Sequence, residues 1–272
     1  MNCKVISINN QKGGVAKSTT AVNLAIGLAK QGEKVCVVDF DPQGSATQLL
    51  GFVPDELEFT IVDRMRDYLG DIDSGLENGI LRHAEGIDLI PANIDLSNFE
   101  VELINAMNRE NLLRGVLGNI RPLYNYILID TLPSLGVLSI NALTACDSVI
   151  IPVQTHQLPA KGLEQLLSSI YKVKRQLNPS IEIEGILYTL VTKTKMAQKV
   201  MDSVNFAYGN HYHIFESTIP YSIKAVEAGS EGKSIYAFQK DNAVSKAYEN
   251  LVMEVQNGRE KARFDTIKDA ER

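Results

Sequence analysis

Residues 4–32 set out an order that few folds can accept. "KVISI" (4–8) is short, apolar and β-branched, and reads as a buried strand. A turn rich in glycine follows, "NNQKGGVAKST". Ala21, Val22, Leu24, Ala25, Leu28 and Ala29 then mark one face of a helix that stops at Gly32. A strand that turns through glycines straight into a helix is the start of a βαβ unit, so the chain is committed to an α/β fold.

The rest of the sequence continues that alternation. "KVCVVD" (34–39), "IDLIP" (87–91), "YILID" (126–130), "SVIIPV" (148–153), "EGILYTL" (184–190) and "IFESTIP" (214–220) read as further strands. Runs that are apolar on both faces belong to a mostly parallel sheet covered on its two sides. Helical spacing is clear in 98–120, in 161–177 and in the stripe Ala243, Ala247, Tyr248, Leu251, Val252 and Val255. No internal repeat or low-complexity linker interrupts the 272 residues. The expected architecture is one doubly wound domain over 1–256 with a polar tail over 257–272 that frays.

The glycine turn has its own chemistry. Backbone N–H groups of residues 13–19 can converge on a concavity at the helix N-terminus, where the peptide dipoles favour an anion. Lys17 is placed to reach the outer phosphates of a nucleotide, and the Ser18 hydroxyl to take one position on Mg²⁺. Two glycines of the usual phosphate-loop spacing are missing, since Gln11 and Ala16 stand there. A positive φ at residue 16 would strain an alanine and weaken ATP binding, whereas a helical φ would cost nothing.

"KGGVAKST" has a second lysine, Lys12, ahead of the Gly-Gly pair. In this the sequence resembles the ParA/MinD class of P-loop ATPases, with their deviant Walker A loop. The resemblance implies that Lys12 crosses a dimer interface to the phosphates held by a partner subunit, so that two ATP molecules are sandwiched between two chains. "VVDFDPQGSAT" (37–47) resembles the switch I segment of that class. It implies that Asp41 lies near Mg²⁺ and the attacking water, and that Asp39 ends its strand and supports the loop. "YILIDTLPSLG" (126–136) resembles the Walker B strand and switch II, with Asp130 on Mg²⁺ through water and Leu132 where the class often has Pro. Gly13, Gly14, Val15, Ala16, Lys17, Ser18, Thr19 and Pro220 complete the implied ATP contacts.

Within the class, "DPQGSAT", "LSINALTACDSVIIPVQ" and "EAGSEGKSIYAF" are most similar to the short ParA/Soj branch. That implies a slow Mg²⁺-dependent ATPase that dimerises on ATP, binds DNA non-specifically, and segregates a plasmid or chromosome with a ParB-like partner. The candidate DNA contacts are Lys193, Lys195 and Lys224. Residues 161–200 carry seven Lys or Arg against three Glu, although the whole chain has a net charge of −6. Residues 54–88 are acidic, with ten Asp or Glu against three Arg, and could receive a basic arm of the partner.

Other readings fit less well. A MinD-like membrane-positioning ATPase ends in an amphipathic helix, but Phe264 and Ile267 are isolated among charges here. A nucleotide-driven electron carrier needs paired cysteines, and Cys3, Cys36 and Cys146 are far apart. A metabolic kinase or ligase would need a small-molecule pocket for which no motif is present. His211 and His213 lack companions for a metal. With no signal peptide or apolar span in view, the chain is expected in the cytoplasm, associated with the nucleoid and not with a membrane.

Overall fold

The first strand, β1 (Lys4–Ile8), lies inside the sheet with β5 (Tyr126–Thr131) on one side and β6 (Ser148–Gln154) on the other. That position explains its composition. Val5 points into the core on one face while Ile6 and Ile8 point into the core on the other. The computed structural model describes residues 3–73, 75–156, 160–239 and 241–270, with the side chains of 160 and 260–270 excepted.

Among the described residues eight strands form one sheet in the order β3-β4-β2-β5-β1-β6-β7-β8. The remaining members are β2 (Val35–Phe40), β3 (Leu81–Arg82), β4 (Asp88–Ile90), β7 (Glu182–Val191) and β8 (Ile214–Pro220). Every pairing is parallel except β3 with β4 at one edge. The expected doubly wound, mostly parallel sheet with helices on both faces is therefore present. One face is covered by α1 (Lys17–Lys30) and α11 (Ala243–Ala270). The other carries α3 (Ile61–Leu69), α5 (Leu112–Ile120), α6 (Val137–Ala145) and α7 (Ala160–Gln176). Helix α8 (Lys195–Tyr208) and the shorter helices α2 (Ser45–Leu49), α4 (Asp95–Glu102), α9 (Ile223–Ser230) and α10 (Ile235–Phe238) fill the connections.

One helical reading needs correction. The stretch 98–120 is not one helix. It breaks into α4, two single 3₁₀ turns (Leu103–Asn105 and Arg109–Asn111) and α5. Asn108 takes a left-handed φ of 55°, a conformation that asparagine tolerates and an α-helix does not. The fully buried Asn141 of α6 then captures the restart, its Oδ1 accepting from Leu113 N at 3.2 Å and its Nδ2 donating to Arg109 O at 2.8 Å. Periodicity carried through the break because apolar residues on both sides face the same core. Helix α11 runs into the polar C-terminal stretch as far as Ala270, and residues 271–272 of that stretch lie outside the described residues.

The cysteines Cys3, Cys36 and Cys146 are all buried free thiols. Among the described residues no helix is long and apolar enough to cross a membrane. Neighbouring strands β2 and β5 pair in a register that sets Asp39 directly beside Asp130. Both close their strands at the carboxyl edge of the sheet, where open α/β folds place their ligands.

Candidate functional site

The Gly-rich loop leaves β1 and is tied down on its far side before it turns. Asn10 Nδ2 donates to Pro152 O at 2.6 Å, and Asn10 Oδ1 accepts from Lys12 N at 2.9 Å. Gln11 Nε2 reaches α7, donating to Gly162 O at 2.7 Å and Gln165 Oε1 at 2.9 Å. Gln11 occupies a position where the common phosphate loop has glycine, and here it anchors the loop to α7. Val15 turns its side chain into the core, and its carbonyl accepts from Thr189 Oγ1 at 3.0 Å. Ala16 stands at φ 61°, ψ 37°, in the left-handed region. The alanine is therefore strained, the costlier of the two possibilities raised by the sequence.

A cavity of about 540 Å³ opens in front of this loop. Gly13, Gly14, Ala16, Lys17, Ser18 and Thr19 form one end of its wall, with Asp41 beside them. Pro220, Leu190, Ile219 and Tyr221 also line it and supply apolar surface suited to a flat ring. Lys12 is exposed, outside the cavity wall, while Lys17 is only 7% exposed. The two lysines thus take different places, one facing solvent and one lodged in the loop.

Lys17 Nζ donates to Lys12 O at 3.3 Å. Burial lowers its pKa, and the charges of Asp130 and Asp41 oppose that shift. Asp130 is fully buried, and neither of its carboxylate oxygens has a partner within hydrogen-bond geometry, although the Ser18 hydroxyl stands close enough to favour its charge. Burial pushes its pKa well up, Asp39 adds to the push, and Ser18 and Lys17 pull the other way. A buried carboxylate with no donor is costly unless a cation or a bound water fills its lone pairs. Asp39, equally buried, is satisfied instead. It accepts from Thr47 N at 2.8 Å, Thr47 Oγ1 at 2.7 Å and Asp41 N at 3.2 Å, and burial raises its pKa to about 7. Asp39 therefore holds α2 and the Asp41 turn in place. Thr47 carries no signal in the sequence that would single it out.

No group of three or more His, Cys, Asp or Glu able to hold a metal occurs among the described residues. Mg²⁺ does not require one, because it keeps several waters and takes one or two protein ligands plus phosphate oxygens. The orphaned Asp130 carboxylate, with Ser18 and Asp41 nearby, fits such an ion. Lys193, Lys195 and Lys224 are all exposed. Lys193 follows β7 and Lys224 follows β8, strands joined at their ends by Val191 and Pro220, so the structure brings these lysines to one corner. Sequence reading missed Asn9, which is fully buried with both amide atoms unpartnered next to the loop.

A family model described as an AAA domain matches residues 3–183. The sporulation initiation inhibitor protein Soj of Bacillus subtilis (strain 168) is 39% identical over 253 residues, which cover 93% of this chain and 98% of Soj. The chain belongs to the ParA/Soj family. Another relative, the chromosome partitioning protein ParA of Caulobacter vibrioides (strain NA1000 / CB15N), is 37% identical over 255 residues, 93% of each chain. The family's fold is found as well in the crystal structure of cobyrinic acid a,c-diamide synthase from Mycobacterium smegmatis with bound ATP analog and magnesium. It has a TM-score of 0.81 and 33% identity, covering 92% of both chains.

Proposed function

We propose that this member of the family is a Mg²⁺-dependent ATPase that pairs on ATP, holds DNA without sequence preference in that state, and drives plasmid or chromosome partition with a ParB-like partner. The observation that carries the nucleotide part is the Asp130 carboxylate, buried and unpartnered beside Lys17 at the mouth of the Gly-rich loop. Partition enters from the relatives named for it.

In this reading Lys17 and the loop amides grip the phosphates. Ser18, Asp41 and Asp130 hold Mg²⁺, and when bound the metal supplies charge neutralisation between the phosphates. Asp41 aims the attacking water, and hydrolysis rests on positioning and electrostatics with no covalent step. Lys12 acts on the phosphates of the paired chain. Exposed Val101, Ile104 and Met107 support that pairing, since they flank Glu100, whose carboxylate lies against Gly136 in the loop after Asp130. Cytoplasmic, nucleoid-associated location and a polar segment over 257–272 belong to the same proposal. The name of the M. smegmatis protein supplies a second reading, ATP-driven diamide synthesis on a carboxylic acid, which shares the nucleotide chemistry and lacks the DNA step.

Thermal melting with ATP plus Mg²⁺ and with ATP plus EDTA tests the site. Lys17→Ala should lose the ATP shift altogether. Asp130→Asn should keep the shift in EDTA and lose the Mg²⁺ increment. Ligand-free Asp130→Asn should also melt higher by about 2–4 °C, near 1 kcal/mol, at alkaline pH, where the raised pKa no longer keeps the buried carboxyl neutral. A full Mg²⁺ increment in Asp130→Asn would remove the metal assignment.

A further inference from the structure

Two glycines remote from the chemistry touch backbone to backbone. Gly51 follows α2 and Gly232 follows α9, with φ of +80° and +64°. A Cβ on Gly232 would lie 2.5 Å from Gly51 Cα and 2.9 Å from Gly51 N. Both contacts are to main chain, so no rotamer change can relieve them. A little closer to the cavity, a Cβ on Gly229 would meet Leu49 Cδ2 at 2.3 Å. Helices α2 and α9 are therefore seated on each other through missing side chains. Both also line the nucleotide cavity, α2 through Ser45, Gln48 and Leu49, and α9 through Ala225 and Val226. Neither Gly51 nor Gly232 lines it.

Helix α2 has only five residues and cannot hold itself together. Its position is set by what grips it from outside. In its middle, Thr47 is bonded to Asp39. At the end, the grip is the glycine contact. From there a chain of bonds of 2.9 Å each runs back to the site. Gly51 N donates to Gln48 O, Gln48 Nε2 to Gln43 O, and Gln43 N to Asp41 Oδ1. We infer that the Gly51–Gly232 contact is a positioning device for hydrolysis, fixing through Gln48 and Gln43 where the Asp41 carboxylate stands. Gly51, Gly232, Gln48 and Gln43 are positioning residues, and the inference rests on the reading of Asp41 as the residue that aims the water.

The test is steady-state ATP hydrolysis by the full chain. Gly232→Ala should lower kcat about tenfold while KM stays within about twofold, because the phosphates are gripped by the separate Gly-rich loop. Gly86→Ala is the matched control. Its φ is +85°, so it carries the same backbone cost, and nothing lies within 4 Å of the added Cβ. It should keep the wild-type kcat. If Gly232→Ala does not fold, Gln48→Ala cuts the same chain without a backbone clash and should lower kcat about threefold at unchanged KM. A wild-type kcat in Gly232→Ala or, failing that variant, in Gln48→Ala overturns the inference, as does a loss equal to that of Gly86→Ala. Asp41→Ala separates the two levels. Undiminished turnover there would sink the site reading itself, whereas an inactive Asp41→Ala beside a normal Gly232→Ala would sink the positioning role alone.

Discussion

Ala16 concentrates backbone strain in a single dihedral angle. Its φ of 61° puts a Cβ where glycine is the easy choice, at a cost of about 1–2 kcal/mol. Glycine would relieve that strain but give back about 0.4–1 kcal/mol through the greater freedom of the unfolded chain. The strain is also present in the ligand-free loop, which Asn10, Gln11 and Val15 already hold in shape. Strain common to both states is a cost of folding and cancels from binding. Ala16→Gly should therefore raise stability by at most about 1 kcal/mol and leave ATP affinity within about twofold, by melting and by titration with a fluorescent ATP analogue. A tenfold gain in affinity would show that the loop changes conformation on binding. The weaker ATP binding expected for a strained alanine does not follow from this geometry.

At the scale of elements, α1 is the hub. Its first residue is Lys17, and three residues on, Thr20 Oγ1 meets Tyr248 Oη of α11 at 3.2 Å. Asn23 Oδ1 accepts from Ile235 N at 2.9 Å and so fixes the start of α10, while Asn23 Nδ2 donates to Thr19 O at 2.8 Å. Glu85, from the turn before β4, holds Ser234 by its backbone N–H and its hydroxyl. Asn23→Ala would strand the buried Ile235 N–H, a loss of about 1–3 kcal/mol that denaturant unfolding should detect. A loss under about 0.5 kcal/mol would mean that α10 is held by its packing alone. The apolar stripes of α1, α7 and α11 are legible because the residues that carry them, the last of α11 being Val255, pack against the sheet over several turns. Helices α2, α9 and α10 are too short for a period to show, and α6 carries buried Ser139, Asn141 and Thr144 within its run.

The whole molecule is acidic, with a net charge of −6, so any hold on DNA must come from a local surface. Lys193 and Lys195 stand after β7 and Lys224 after β8, at the carboxyl edge that also carries the nucleotide cavity. Pairing of two chains would double that surface. Retention of DNA in ATP should fall with rising salt, and the triple change Lys193→Glu, Lys195→Glu, Lys224→Glu should flatten the log–log slope by about 0.9 for each phosphate that is no longer neutralised. An unchanged slope in a gel-retardation series at several salt concentrations would move the DNA surface elsewhere. Retention that needs no ATP would uncouple it from pairing.

Local preference alone determined the strand–glycine–helix opening, seven of the eight strands and the lysine in the loop, because each is written in neighbouring residues. The short β3, Leu81–Arg82, has no such signature. What the folded chain decided is who stands beside whom. Strand order placed β2 against β5, and only that register sets Asp39 next to Asp130, leaving one carboxylate satisfied and the other bare. The left-handed Ala16 and Asn108 and the Gly51–Gly232 contact belong to the same class. Each depends on partners tens to hundreds of residues away, whose closeness is set by burial of the sheet's two faces and by no residue's own preference.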